Sequence, residues 1–208
     1  MTGMDKRVER TAEALRTAVL ELAAEQDVAA LTASAVAARA GINRATFYDH
    51  AASPADLLGR VLGAELDRIR AEFDDAVREV AGHATHDDAE QVVTRYTSAL
   101  QAHVEAHLPV YERALEGGLS APLARLLADH VAGTLTDHLR AHPGLMPLDP
   151  GTPADQVDRY ARAFATYVGL GTVGALEVWL SAPPPRDPAF FARVAHDALP
   201  AWWTTPSP

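Results

Sequence analysis

Residues 43–50 read Asn-Arg-Ala-Thr-Phe-Tyr-Asp-His, and several of these side chains suit a nucleic-acid surface. A guanidinium such as that of Arg44 can form paired hydrogen bonds to O6 and N7 of guanine in the major groove, and the small Ala45 lets the backbone approach. Thr46 can bond a phosphate or touch a thymine methyl group, while Tyr48 and His50 can donate to phosphate oxygens. The elements that must position them are legible on either side. Thr32 offers a side-chain oxygen to cap a short helix over 33–40, whose apolar face is Val36, Ala37 and Ala40. Gly41 ends that helix, because glycine most readily takes the left-handed conformation of a helix exit. Asn43 then caps a second short helix, from Arg44 to about His50, with Phe47 turned inward. Two short helices across a tight turn, braced by a longer helix before them, describe a helix-turn-helix. Its first short helix crosses the phosphate backbone and its second lies in the major groove. The plainer alternative is a helical hairpin in a bundle. Against it stand Tyr48, Asp49 and His50, which form a polar outward face, and Asn43 and Arg44, which crowd the start of the helix.

The stretch LTASAVAARAGINRATFYDH, residues 31–50, resembles the DNA-binding signature of the TetR family of transcriptional regulators. The resemblance rests on Thr32, Ala40-Gly41, Phe47-Tyr48 and His50. It implies that Ser34, Arg44, Ala45 and Thr46 meet bases or nearby phosphates, and that Thr32, Tyr48 and His50 meet phosphates. It implies an all-α fold: an N-terminal three-helix DNA-binding domain, residues 1–53, and a helical effector-binding and dimerisation domain, residues 54–208. The expected activity is that of a ligand-responsive repressor, a homodimer on a pseudo-palindromic double-stranded DNA operator, although activation or corepression fits the same residues. Two positions depart from the family pattern. Ala51 stands where a large apolar residue usually follows the His, and Pro54 stands where many members carry a phosphate-pairing Lys. Arg60 is too far along the next helix to be an obvious substitute, whereas Lys6, Arg7 and Arg10 could compensate from the first helix.

Apolar periodicity predicts helices almost throughout. They cover about residues 5–25, 33–40, 44–50, 54–81, 88–107, 109–116, 121–141, 153–181 and 188–199. Ser53-Pro54 marks the start of the fourth, with serine at the cap and proline in the first turn. Gly82, the Gly117-Gly118 pair and the stretch HPGLMPLDPGTP over 142–153 punctuate the later ones. Pro200 is placed to kink the last helix before Trp202 and Trp203, and the tail reads TTPSP. No stretch reads as a strand, and no internal repeat is apparent. Tyr96, His103, His107, Tyr111, Phe164, Tyr167 and Trp179 join apolar bodies to polar tips, the mix that lines small-molecule pockets, although single aromatics at helical spacing are more often core. Gly169, Gly171 and Gly174 allow a close helix contact, either between two copies of the chain or within one.

The 208 residues are 48% apolar, which excludes a wholly disordered chain, and the absence of cysteine removes disulfides, thiolate metal sites and cysteine nucleophiles. The first residues lack the apolar segment of a secretory signal, and the longest uncharged run, Ala163–Leu176, is short of the roughly 20 residues that span a bilayer. A soluble, cytoplasmic protein without a membrane partner is expected. The net charge of −10 argues against nucleic acid, but residues 1–60 carry only −1 of it and residues 61–208 carry −9. Lys6, Arg7, Arg10 and Arg16 form a local basic cluster. The pairs His103/His107 and His138/His142 have a spacing that can hold zinc if a third ligand arrives from elsewhere, and His83 and His86 flank acidic residues. Among nine histidines such spacings also arise by chance, so no metal and no cofactor is expected. No G-x-S-x-G, P-loop or dinucleotide-binding glycine motif is present, and an enzyme is not expected. The alternative reading is a helical small-molecule or metal-binding protein or enzyme with a vestigial DNA-binding motif.

Overall fold

In the computed structural model, residues 3–80, 86–115, 118–149, 151–198 and 200 are described; Gly82, His83, Gly117, Leu199, Trp202, Trp203 and the tail lie outside them. The described residues are helical and contain no strand. The helices are α1 (Gly3–Glu25), α2 (Ala33–Arg39), α3 (Arg44–His50), α4 (Pro54–Val80), α5 (His86–Ala106), α6 (Leu108–Arg113), α7 (Ala121–Ala141), α8 (Ala154–Ser181) and α9 (Pro188–Asp197). Single 3-10 turns at Val28–Ala30 and Pro143–Leu145 complete the set. The all-α class and the HTH-first order follow the sequence reading. By packing, the chain divides into two compact units, residues 1–65 with 104–123 and residues 66–103 with 124–208.

The first unit is built on α1, which packs against both α2 and α6. Leu15, Val19, Val36, Phe47, Leu58, Leu62, Val104 and Tyr111 form its dry centre, each at most 1% exposed. The caps sit where their chemistry requires. Thr32 Oγ1 accepts from the amide of Ala35 at 3.1 Å, and Asn43 Oδ1 accepts from that of Thr46 at 2.8 Å. Each satisfies a helix-start amide that has no intrahelical partner. Gly41 has φ +68°, the left-handed conformation that lets α2 stop and the chain turn towards α3.

The second unit centres on α7 and α8. Leu139, Met146 and Ala161 are buried together, with Tyr160 and Phe164 packed against them. Gly169 of α8 meets α7 at backbone distance: a Cβ there would lie 2.6 Å from the Ala128 carbonyl oxygen. Of the three glycines read as contact markers, Gly169 therefore serves a crossing within the chain, while Gly171 and Gly174 have open space beside them. The unit also encloses polar rings. The Phe73 ring lies 5.0 Å from Tyr96 and 5.5 Å from His138, and the Tyr96 and His130 rings stack at 6.2 Å. Arg70 reaches this cluster, its Nε donating to Thr134 Oγ1 at 3.1 Å. Burial pushes the Tyr96 hydroxyl up to about 12 and, with Arg70 nearby, pulls His130 down to about 4.

Gly169→Ala forces its methyl into the α7 backbone and is expected to destabilise by about 1–3 kcal/mol. Gly59→Ala, in α4 with open space around it, should instead stabilise by up to about 1 kcal/mol. Thermal unfolding of the two variants reads the opposite signs directly. His130 titrates at about 6.5 unfolded and about 4 folded, so between those values the unfolded chain binds more protons. The stability tied to its neutral form is complete above pH 6.5 and is lost as the pH falls towards 4. Tm should drop on acidification through that window, and drop less in His130→Phe; equal losses in both proteins would contradict a buried neutral imidazole.

Candidate nucleic-acid interface

The second short helix is anchored by one buried side chain, with the rest exposed or half-buried. Phe47 is fully buried, and its ring meets that of Tyr48 edge-on at 5.4 Å. With Phe47 fixed, Arg44, Ala45 and Tyr48 face solvent, while Thr46 and His50 are half-buried. Arg44 and Tyr48, one turn apart, are joined: Arg44 Nη2 donates to Tyr48 Oη at 3.2 Å, with the guanidinium 5.5 Å from the ring centroid. An arginine so held loses less rotamer freedom when it binds a planar acceptor pair. Thr32 and Ser34, at the start of α2, are exposed as well. The hydroxyl of Thr32 also serves as the α2 cap, so its role there is structural whatever else it meets.

Electrostatics separates the cations of this unit into two groups. Arg39, at the end of α2, donates to Glu21 and Glu25 of α1 at 3.0–3.2 Å and clamps the two helices together. That hydrogen bond holds the Glu25 carboxyl below its usual range. Arg16 is paired with Glu65 at 3.0 Å, and Arg60 with Asp56 at 2.8 Å. Lys6, Arg7, Arg10 and Arg44 are exposed and form no ion pair among the described residues. Arg60 had no assigned place in the sequence reading. Its Nη1 donates to the carbonyl of His50 at 2.9 Å, at the C-terminal end of α3. No sequence pattern announced that contact, since it joins residues ten apart across a change of helix.

The residues expected to line an effector pocket occupy several settings. In the first unit, Tyr111 is fully buried, and burial pushes its hydroxyl up; His107 Nε2 lies 2.6 Å from Glu65 Oε2. In the second unit, Tyr96 lines a small apolar cavity of about 40 Å³ with Phe73, Leu100, Val131, Leu135 and Val168. Phe164 packs on the Leu139 cluster, and His103 is buried. Trp179 is 4% exposed; its indole N–H donates to the Asp187 carbonyl at 3.0 Å, and Arg186 lies over its ring. Tyr167 is 73% exposed and borders a different, larger groove of about 350 Å³ with Leu170, Gly171, Ala175, Val194 and Ala198. The His138 and His142 rings lie 4.9 Å apart, tilted by 54°.

Comparison with known proteins points to the same element as the geometry. Residues 15–61 match the family described as bacterial regulatory proteins, tetR family. A 56-residue stretch is 50% identical to YxbF, an uncharacterised HTH-type transcriptional regulator of Bacillus subtilis strain 168. That match spans 26% of this chain and 15% of the relative. Among solved structures, a tetR-family transcriptional regulator from Streptomyces coelicolor is similar with a TM-score of 0.49 and 17% identity, over 91% of this chain and 78% of that one. The TetR family repressor AlkX from Dietzia sp. strain DQ12-45-1b is similar with a TM-score of 0.43 and 16% identity, over 89% and 91%. Residues 15–61, which carry the helix-turn-helix, thus match the tetR family of bacterial regulatory proteins.

Proposed function

We propose that the chain is a ligand-responsive transcriptional repressor that binds a pseudo-palindromic DNA operator as a homodimer and releases it when a small molecule binds. The observation that carries this reading is the division of labour on α3. Phe47 alone is buried, and Arg44, Ala45 and Tyr48 are left outward at the end that enters a major groove. Arg44 reads guanine, Ala45 admits the backbone, and Thr46 contacts a base or an adjacent phosphate. Thr32, Ser34, Tyr48 and His50 fix the register on phosphates, with Lys6, Arg7 and Arg10 adding charge from α1.

Dimerisation is supported by α8. Tyr167, Leu170 and Val178 are 73%, 61% and 61% exposed, and one third of the helix's most apolar 18-residue stretch is buried. An apolar face of this kind marks an interaction surface. A second copy supplies the same face by two-fold symmetry, which matches the symmetry of a palindromic operator. The cavity at Tyr96, about 40 Å³, must widen to hold an effector, but its apolar lining favours a largely apolar one, and the −9 charge of residues 61–208 disfavours a polyanion. The effector acts by population shift, favouring a dimer whose two α3 helices no longer match grooves about 34–36 Å apart.

Fluorescence-anisotropy titration against the DNA upstream of its own gene, with scrambled DNA as control, tests the core of this reading. The expected preference is roughly 10³-fold or more. Arg44→Ala should lose on the order of 1–3 kcal/mol of discrimination, about 5- to 150-fold, with non-specific binding largely kept. Full operator preference in Arg44→Ala would remove it from the reading set. Separately, Leu170→Asp should shift the sedimenting species from dimer to monomer; an unchanged mass would move the interface off α8.

A further inference from the structure

The link between α3 and α4 is three residues long, Ala51 to Ser53, and side-chain hydrogen bonds tie it to the start of α4 in both directions. Ser53 Oγ accepts from the amide of Asp56 at 3.1 Å, and Asp56 Oδ2 accepts in return from the amide of Ala52 at 2.8 Å. This is the reciprocal arrangement of a capping box, shifted by one residue. One turn further on, Arg60 grips the same carboxylate with two donors, Nε to Oδ1 at 3.2 Å and Nη2 to Oδ2 at 2.8 Å. A two-point grip fixes the plane of the guanidinium. The remaining nitrogen, Nη1, then donates to the carbonyl of His50 at 2.9 Å. That carbonyl belongs to the last turn of α3 and has no partner within the helix. The positive fork also faces the negative end of the α3 dipole.

We propose that the Asp56–Arg60 pair is a strap that sets the orientation of α3 on α4, making Arg60 a positioning residue for DNA recognition. The strap's two anchors outside α4, the His50 carbonyl and the Ala52 amide, flank Ala51. Ala51, 3% exposed, offers little apolar bulk to wedge the end of α3, and Pro54 brings no cation to the start of α4. Hydrogen bonds from Arg60 supply the missing constraint. Its charge is largely matched by Asp56, so its part is geometry and not neutralisation of phosphate.

This inference rests on the proposed DNA reading, and the experiment separates the two. Operator and scrambled DNA are titrated over several salt concentrations with the full-length wild type, Arg60→Met and Asp56→Asn. Methionine keeps an unbranched stem without the fork, and asparagine keeps the acceptor for Ala52 without the charged two-point grip. Both variants should bind the operator about tenfold more weakly while binding scrambled DNA as before. The slope of log K against log salt should stay at the wild-type value, since no phosphate contact is removed. Amide exchange at His50 and Ala51 should quicken in both. A slope shallower by about one in Arg60→Met would show that Arg60 contacts phosphate directly, overturning the positioning role. Unchanged operator preference in both variants would overturn the strap. A wild type that prefers no DNA would overturn the regulator reading itself. A thermal melt of each variant with one cooperative transition near that of the wild type excludes general unfolding as the cause of any loss.

Discussion

A helix of seven residues does not hold itself together in water. Forming the first turn fixes several dihedral angles for a single hydrogen bond, and α3 ends before propagation can make that good. Everything around α3 supplies from outside what the helix lacks within. Asn43 satisfies one of its opening amides, the buried Phe47 ring pins its middle, and the Arg60 guanidinium meets its last turn. α2, also seven residues, is treated alike, with Thr32 at its start and Arg39 clamped to α1 near its end. The architecture of the first unit is the set of external supports that two marginal helices require.

The same supports explain a charge balance that looks unpromising for a DNA-binding unit. Residues 1–60 are nearly neutral, yet acids and bases are not randomly matched there. Glu21 and Glu25 are consumed by Arg39 in joining α1 to α2, Asp56 is matched by Arg60 within α4, and Arg16 reaches beyond this stretch to Glu65 of α4. The cations left outside those pairs lie on the first turns of α1 and on α3. Net charge sums the two populations and conceals the division between them.

What was legible in the sequence was local. Thr32, Gly41 and Asn43 act on amides and turns within a few residues, so their chemistry could be read from spacing, and the helix limits followed within a few positions. What was not legible depends on residues far apart in the chain. The inclusion of 104–123 in the first unit follows from α6 packing on α1, and no periodicity in either helix announces it. His107 and Tyr111 have the polar-tipped character of pocket residues, and only the tertiary structure brings Glu65 to His107. Gly169 reads as a small residue in a helix, and only the position of Ala128 says which neighbour it admits. Arg60 illustrates the point most sharply. Counted along α4 it lies far from α3, but its long side chain spans the gap to the His50 carbonyl.

The buried Phe47 with its exposed neighbours has a consequence for how such a protein changes over generations. The residues that keep α3 folded and those it turns to solvent are different residues, interleaved along it. Arg44 and Ala45 project from a helix whose support comes from Asn43, Phe47 and Arg60, so a lineage can try new side chains at the outward positions while the fold tolerates the trial. A duplicated copy of this gene could thus drift to a new target sequence by substitutions that leave the stability of its product almost untouched.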